Sequence, residues 1–413
     1  AVDAVYNVRP PAAAAKLREL YYQAHFIHSH AAHFYALAAP DFVVGPDAPA
    51  AERNILGLIN KVGLDTGKEV IRQRAISQEI QIIIGGRATH PVWNVPGGVA
   101  KALTKEEREK LRPMIKDQIA FGELGLKLFA DIVLGNKAYV DLIVGDGYEL
   151  VTNYMGLVDE KHRVTFYDGK VRVVDTEGAE LFKYSEPEYT DYIAEHVEPY
   201  SYLKFPFLKK IGWNGFKEGA GTSIYQAAPL ARLNAADGMA TPKAQAEYEK
   251  MYATLGGKPS HKLLAAHWAR LIELLYSAER MAELIVDDEI VDPNVRVIPS
   301  TTPSEGVGII EAPRGTLTHH YWTDEKGIVT KANLVVGTTN NNAPISMAVK
   351  KAAQKFIKGG GEVSQGLLNM VEMAFRLFDP CFSCATHSLP GRMPLTVEIK
   401  DESGETIETV SRR

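Results

Sequence analysis

The chain has 413 residues, 46% hydrophobic and 23% charged, a composition typical of a globular protein that is long enough to bury a large core. Its 46 basic and 51 acidic residues give a formal net charge of −5, which argues against nucleic acid or an anionic membrane as a partner. No apolar run reaches the roughly 18 residues of a membrane-spanning helix, and the first residues lack the features of a signal peptide. Only two cysteines are present, which excludes a disulfide scaffold and indicates a reducing, cytoplasmic compartment.

Four long helices are predicted from apolar residues that recur at intervals of three and four. Thr104 and Glu107 have the spacing of a capping box, so one helix should begin there. We expect the four helices to pack as the central bundle of a mainly α fold with small β parts (α+β), in a single domain over residues 1–413. The predicted helices cover residues 12–38, 104–134, 260–286 and 364–378.

Two β hairpins are predicted outside the bundle. Residues 164–167 and 171–174 alternate on either side of an Asp-Gly pair at 168–169, which is a hairpin signal inside a β-containing, peripheral insertion at about 141–215. A second hairpin is predicted within residues 307–336, with its turn at 324–327.

The first long helix carries His28, His30 and His33. The last two share a face of the helix, and His28 lies off that face. We favour histidines that are hydrogen-bonded in a core or a subunit interface over metal ligands.

Both cysteines lie in the stretch DPCFSCATH at 379–387. Two thiols three residues apart can face one point in space. A thioredoxin-like dithiol would need a βαβ setting, and a structural zinc site would need a fourth protein ligand beyond Cys381, Cys384 and His387. Two buried cysteines without a chemical role remain an alternative on these residues alone.

The full pattern DPCxxCxxH resembles the large subunit of nickel–iron hydrogenases. Two further stretches match that family, EAPRG at 311–315 and GGRATHP at 85–91, the latter followed by PGG at 96–98. The resemblance extends over the whole chain. The phrases YLKFP and APLARLN look most like the cytoplasmic, multi-subunit branch, linked to heterodisulfide reductase or to a nicotinamide cofactor.

The resemblance implies a nickel–iron centre with cyanide and carbon monoxide ligands. Cys381 would be a terminal ligand of nickel, Cys384 would bridge nickel and iron, and His387 would bind magnesium or a similar ion. Thiolates are soft ligands that suit these metals. The family's other two sulfurs come from an N-terminal CxxC, which this sequence does not contain.

The same resemblance assigns roles to five further residues. Pro313, Arg314, Val336 and Thr338 would surround the iron-bound cyanide and carbon monoxide, and Asp379 would pair near Arg314. The arginine is a permanent donor of hydrogen bonds, so it would act in catalysis with Asp379 as its support.

The implied reaction is the reversible heterolytic cleavage of dihydrogen. Electrons would leave through iron–sulfur clusters of a partner subunit, because two cysteines leave none to bind clusters here. Electron-acceptor subunits would be of the heterodisulfide reductase type, or alternatively of the NAD-reducing type. The rival interpretation is a non-catalytic scaffold subunit in an electron-transfer complex, which would not need to keep Cys381, Cys384, Arg314, Asp379 and His387 together.

The last expectation concerns maturation. Family members are made with a C-terminal extension that an endopeptidase removes after the motif's histidine once nickel is bound, with the help of maturation proteins. Here 26 residues, 388–413, follow His387 and contain a strand-like run at 395–399. We therefore hypothesise that this chain is the unprocessed, metal-free precursor.

Overall fold

The computed structural model describes residues 1–49, 51–201, 203–358, 363–380, 395–400 and 403–412. The α-helices are α1 Val2–Val5, α2 Ala12–His33, α3 Ala39–Val43, α4 Ile55–Val62, α5 Leu64–Gly85, α6 Lys105–Phe129, α7 Lys137–Val144, α8 Tyr189–Tyr192, α9 Pro229–Ala235, α10 Pro242–Leu255, α11 Ala266–Val286, α12 Gly337–Asn340, α13 Asn342–Phe356 and α14 Gln365–Arg376. The strands are β1 Asn94–Val95, β2 Gly98–Val99, β3 Asn153–Val158, β4 Lys170–Val174, β5 Glu180–Tyr184, β6 Ile193–Val197, β7 Lys204–Leu208, β8 Tyr225–Gln226, β9 Glu305–Ala312, β10 Gly315–Thr323, β11 Val329–Val335, β12 Leu395–Lys400 and β13 Thr406–Arg412.

Helix α11 is the centre of the bundle. It packs against α2 and α6, and most of its side chains are buried. Gly122 of α6 allows close approach, because a Cβ there would lie 3.1 Å from the Leu275 Cα atom. The core is therefore built from the long helices, as the apolar periodicity predicts.

The four predicted long helices are confirmed. Helix α2 continues through a π-helical segment, Phe34–Ala38, so the predicted run over 12–38 is a single helical path. The capping box of α6 is present, with the Glu107 amide 3.1 Å from the Thr104 hydroxyl and the Thr104 amide 3.0 Å from the Glu107 carboxylate.

The predicted hairpin at 164–174 is wrong. Strand β4 pairs instead with β3 and with β5, and Val164 makes only an isolated bridge with Val158. The cause is Phe166, which is buried and stacks on Phe26 of α2 with ring centroids 4.0 Å apart. Burying an aromatic ring in the helical core outweighs the local turn signal, so this part of the predicted insertion is not peripheral.

The second hairpin is confirmed, with β10 and β11 antiparallel around 324–327. The predicted first strand is in fact two strands, because the chain reverses at Pro313 and Arg314 and pairs β9 with β10. Strand β12 confirms the strand-like run at 395–399, and it pairs with β13.

Among the helices that the structure describes, none combines the length and the apolar character needed to cross a membrane.

Candidate metal centre

Arg314 lies at the tip of the tight turn between β9 and β10. Ala312 pairs with Gly315, so only Pro313 and Arg314 connect the two strands. Gly315 has φ +143°, and a Cβ on it would lie 2.5 Å from the Ala227 carbonyl oxygen. The turn therefore requires glycine at position 315, where the backbone packs directly against the backbone of Ala227.

Arg232 of α9 holds this turn through hydrogen bonds to its backbone. Its Nη1 atom donates to the Ala312 carbonyl at 2.6 Å and to Glu311 at 2.9 Å, and its Nη2 atom donates to the Pro313 carbonyl at 3.2 Å. The same guanidinium forms a two-bonded pair with Glu273 of α11 at 2.6 and 2.7 Å. All of its side chain is buried, so the turn is fixed to the bundle core by charged hydrogen bonds.

The two carboxylates that face Arg232 have different surroundings. Glu273 also accepts a bond from His30 Nε2 at 2.8 Å, whereas Glu311 accepts one from the Leu157 amide at 2.8 Å. Burial alone would raise the pKa of both carboxyl groups. At Glu273 the charge and hydrogen bonds of Arg232 outweigh burial, so its pKa is lowered. At Glu311 burial outweighs the effect of Arg232, so its pKa is raised. Burial lowers the pKa of His30 to about 4, so its ring is neutral near neutral pH.

Two asparagines hold the turn from the other side. Asn341 Nδ2 donates to the Arg314 carbonyl at 2.9 Å and to the Gly337 carbonyl at 3.0 Å. Asn340 Nδ2 donates to the carbonyls of Thr316 at 2.6 Å and Val336 at 3.2 Å. These amides join the β9–β10 turn to the start of α12.

The side chain of Arg314 contacts Asp379. Its Nε atom donates to the Asp379 carbonyl at 2.7 Å, and its Nη2 atom lies 3.2 Å from the Asp379 carboxylate. Asp379 is almost fully buried, and burial raises its pKa to about 6 against the opposing charges of Arg314 and Arg270. The predicted pairing of Arg314 with Asp379 is therefore present.

The other predicted residues divide into two groups. Pro313 is buried in the turn, and Val336 and Thr338 flank Gly337, where a Cβ would lie 3.1 Å from the Arg314 carbonyl carbon. The described part of the chain thus brings these positions together at one end of the β9–β10 turn. The predicted metal ligands Cys381, Cys384 and His387 lie outside the described residues, and no group of three or more His, Cys, Asp or Glu that could hold a metal occurs among the described ones.

A cleft of about 1100 Å³ opens beside Arg314 and Asp379. His25, His28 and Arg74 also line it. Burial, with the charges of His28 and Arg314, lowers the pKa of His25 to about 4, so this ring is neutral near neutral pH. The cleft gives the Arg314–Asp379 pair an approach from the surface.

The preference for core histidines over metal ligands is confirmed for two of the three. His30 is bonded to Glu273, and His33 Nε2 is bonded to the Arg376 carbonyl at 2.7 Å. His28 lies apart at the cleft, with Nε2 3.5 Å from Arg74 Nη2.

Sequence reasoning missed the residues that hold the site. Arg232 lies inside the phrase APLARLN, and Asn340 and Asn341 follow the second predicted hairpin. Their positions in the sequence do not indicate that these three residues contact the β9–β10 turn. The signal for Glu273 was present, because Arg270 and Glu273 are the two charged residues in the otherwise apolar stretch 268–275 of α11. Charged residues at fully buried helical positions require charged partners.

The family model described as nickel-dependent hydrogenase matches residues 1–57 and 148–387. The chain belongs to this family of hydrogenase large subunits. The family oxidises or evolves dihydrogen, so the predicted enzyme class and the predicted fold are both confirmed.

Individual relatives support the assignment. The chain is 50% identical, over 99% of its length and 84% of the relative, to an F420-non-reducing hydrogenase iron-sulfur subunit of Archaeoglobus profundus. It is 36% identical, over 97% of its length and 81% of the relative, to the beta subunit of the NAD-reducing hydrogenase HoxS of Cupriavidus necator. A crystal structure of an NAD+-reducing NiFe-hydrogenase in the H2-reduced state superposes with a TM-score of 0.84 at 34% identity, covering 94% of this chain and 84% of that one.

Removing the positive charge from the network around Arg232 should be strongly destabilising. Arg232→Met leaves Glu273 and Glu311 buried without their cation, and we expect a loss of about 3–5 kcal/mol in the free energy of unfolding. The matched control is Arg280→Met, whose pair with Glu19 is partly exposed, with an expected loss of about 0–1 kcal/mol. Denaturant unfolding followed by circular dichroism measures both, and equal losses would contradict the role given to Arg232.

Proposed function

We propose that this hydrogenase subunit catalyses the reversible heterolytic cleavage of dihydrogen at a nickel–iron centre. The observation that carries the proposal is the contact between Arg314 and Asp379, which lies two residues before Cys381. A permanently charged guanidinium is thereby held at the start of the segment that contains both thiols. The family match over residues 148–387 includes this segment and supports the same assignment.

The residues present fit one half of a nickel–iron centre, because the other two sulfurs of the family come from an N-terminal CxxC that this sequence does not contain. Cys381 and Cys384 would hold the two metals, since thiolates are the soft ligands that nickel and low-valent iron prefer. Asp379 Oδ2 is buried and has no hydrogen-bond partner in the described part of the chain, so a polar group is available beside the motif. When bound, the centre supplies the soft Lewis acidity and the redox capacity for splitting dihydrogen into protons and electrons.

Each residue then has a defined task. Arg314 would donate hydrogen bonds toward the cyanide and carbon monoxide ligands and would provide a fixed positive field beside them. Pro313, Val336 and Thr338 would surround those ligands. Asp379 orients the guanidinium through its carboxylate, and His387 would hold magnesium or a similar ion through its imidazole.

The electrons pass to an iron–sulfur small subunit in this proposal, because both cysteines of the chain are committed to the metals. The phrases YLKFP and APLARLN favour an electron acceptor of the heterodisulfide reductase type, and the relative from Archaeoglobus profundus is named an F420-non-reducing hydrogenase subunit, which agrees with that proposal. The lower identity to the NAD-reducing relative makes that acceptor the second candidate. A cytoplasmic location agrees with both acceptors.

Removal of either thiol should abolish nickel retention. Cys381→Ala or Cys384→Ala takes one soft ligand from the centre, and a centre that lacks one of its thiolates binds the metal far more weakly. The matched control is Ser383→Ala, which lies between the cysteines and should keep the wild-type nickel content. Elemental analysis of nickel per chain measures this, and full nickel content in Cys381→Ala would refute the ligand assignment.

Arg314→Lys should keep the metals and lose turnover. Lysine keeps the charge but not the planar fork that can hold Asp379 and donate to a ligand together, so we expect at least about a 100-fold loss of dihydrogen oxidation. Arg296→Lys, at an exposed arginine, is the matched control and should leave the rate unchanged. Wild-type turnover in Arg314→Lys would exclude the catalytic role.

The proposal includes removal of the C-terminal extension 388–413 during maturation. The family match ends at residue 387, which supports a functional boundary there. We expect chains that end at His387 to carry nickel and chains that continue to Arg413 to be the metal-free precursor. Intact-mass spectrometry with metal analysis of the same fractions tests this, and a nickel-loaded chain that retains 388–413 would contradict it.

A further inference from the structure

Side chains from other elements hold the backbone where α14 ends. The last carbonyl groups of an α-helix have no partner within the helix, so they need donors from elsewhere. Three carbonyls here accept a side-chain bond, and the pairs are His33 with Arg376 at 2.7 Å, Arg270 with Leu377 at 2.9 Å, and Arg314 with Asp379 at 2.7 Å. We call these three donors the carbonyl clamp.

The chemistry of His33 follows from its partner. A carbonyl only accepts hydrogen bonds, so the Nε2 atom of His33 must carry the hydrogen. Burial and the charge of Arg270 lower the pKa of His33 well below its usual value, so the ring is neutral and in a single tautomer. The ring stacks on His267 with centroids 5.7 Å apart, and His267 Nδ1 lies 3.4 Å from Arg270 Nη1, so two of the three donors are packed together.

The clamped backbone is held in an unfavourable conformation. Asp379 has φ +54°, which a residue other than glycine rarely adopts, and Pro380 follows it. The side chains of Leu377 and Phe378 are each 1% exposed, so the core anchors the same segment. Such a backbone persists only where its surroundings impose it, which is what the clamp and the buried side chains do.

The three donors come from three separate elements. His33 belongs to α2, Arg270 to α11 and Arg314 to the β9–β10 turn, so the clamp ties the end of α14 to the bundle and to the sheet at once. The clamped residues end two positions before Cys381. A shift of the backbone here would move, relative to Arg314, the point from which the chain continues to Cys381.

We propose that His33 and Arg270 are positioning residues for the metal site, which hold residues 376–379 so that Cys381 and Arg314 stay in fixed relation. The inference rests on the proposed nickel–iron centre, but the bonds themselves do not involve a metal. A merely structural role would lower stability without affecting the thiols selectively. The two roles therefore differ in what happens at Cys381 and Cys384.

The test measures thiol reactivity in the full chain purified from nickel-depleted cultures. Cys381 and Cys384 are alkylated with iodoacetamide, and the labelled peptide is quantified by mass spectrometry over time. His33→Phe and Arg270→Met each remove one bond of the clamp, and we expect labelling to be about tenfold faster than in the wild type. His33→Gln keeps a donor at the same reach and should restore most of the slow rate, and nickel content of the metal-loaded enzyme should follow the same order.

The matched control is Tyr148→Phe. Tyr148 donates to the Met370 carbonyl at 2.6 Å, so this variant removes a partly buried bond to the same helix, farther from its end. We expect a loss of thermal stability comparable to that of His33→Phe, and labelling at the wild-type rate. Labelling in Arg270→Met within about twofold of that in Tyr148→Phe would overturn the inference, as would His33→Gln reacting as fast as His33→Phe. A wild type that never binds nickel but shows the predicted labelling order would refute the proposed function and leave the clamp intact.

Discussion

A single buried guanidinium connects the parts of this protein that matter for its chemistry. Arg232 pairs with Glu273 in the central helix α11 and with Glu311 at the end of β9, and it donates to two carbonyls of the turn that presents Arg314. Its guanidinium carbon also lies over the rings of Phe26 and Phe166, at 5.7 and 5.4 Å. Helix, sheet and turn therefore meet at one charged group. A displacement of this group would move Arg314.

The interior around this point is close to electrical balance. Three arginines, Arg232, Arg270 and Arg314, face three carboxylates, those of Glu273, Glu311 and Asp379. Burying charges costs desolvation free energy even when they are paired and hydrogen-bonded, so this arrangement adds little to the free energy of unfolding. Its value here is geometric, because charged hydrogen bonds fix direction as well as distance. The desolvation cost is therefore offset by a rigid arrangement of the side chains around Arg314.

The sequence predicts the helical bundle well because apolar periodicity and caps are local signals, as the capping box at Thr104 shows. It predicts the 164–174 hairpin wrongly because the fate of Phe166 is decided by a contact with Phe26, which is far away in the chain. The pairing of Arg314 with Asp379 follows from the family motifs. The roles of Arg232, Asn341 and His33 do not, because each depends on which backbone carbonyl folding brings within reach. Long-range polar contacts of this kind leave no periodic trace in a sequence.

The central claim is that the site around Arg314 cleaves dihydrogen heterolytically. Isotope exchange tests it most directly, because it needs neither an electron acceptor nor a known electron-transfer partner. The nickel-containing protein is incubated with deuterium gas in ordinary water, and the dissolved gases are followed by mass spectrometry. Our account predicts that HD appears first, since one deuteron exchanges with water before the gas re-forms, and that Arg314→Lys slows this exchange. A nickel-loaded wild type that forms no HD would contradict the account.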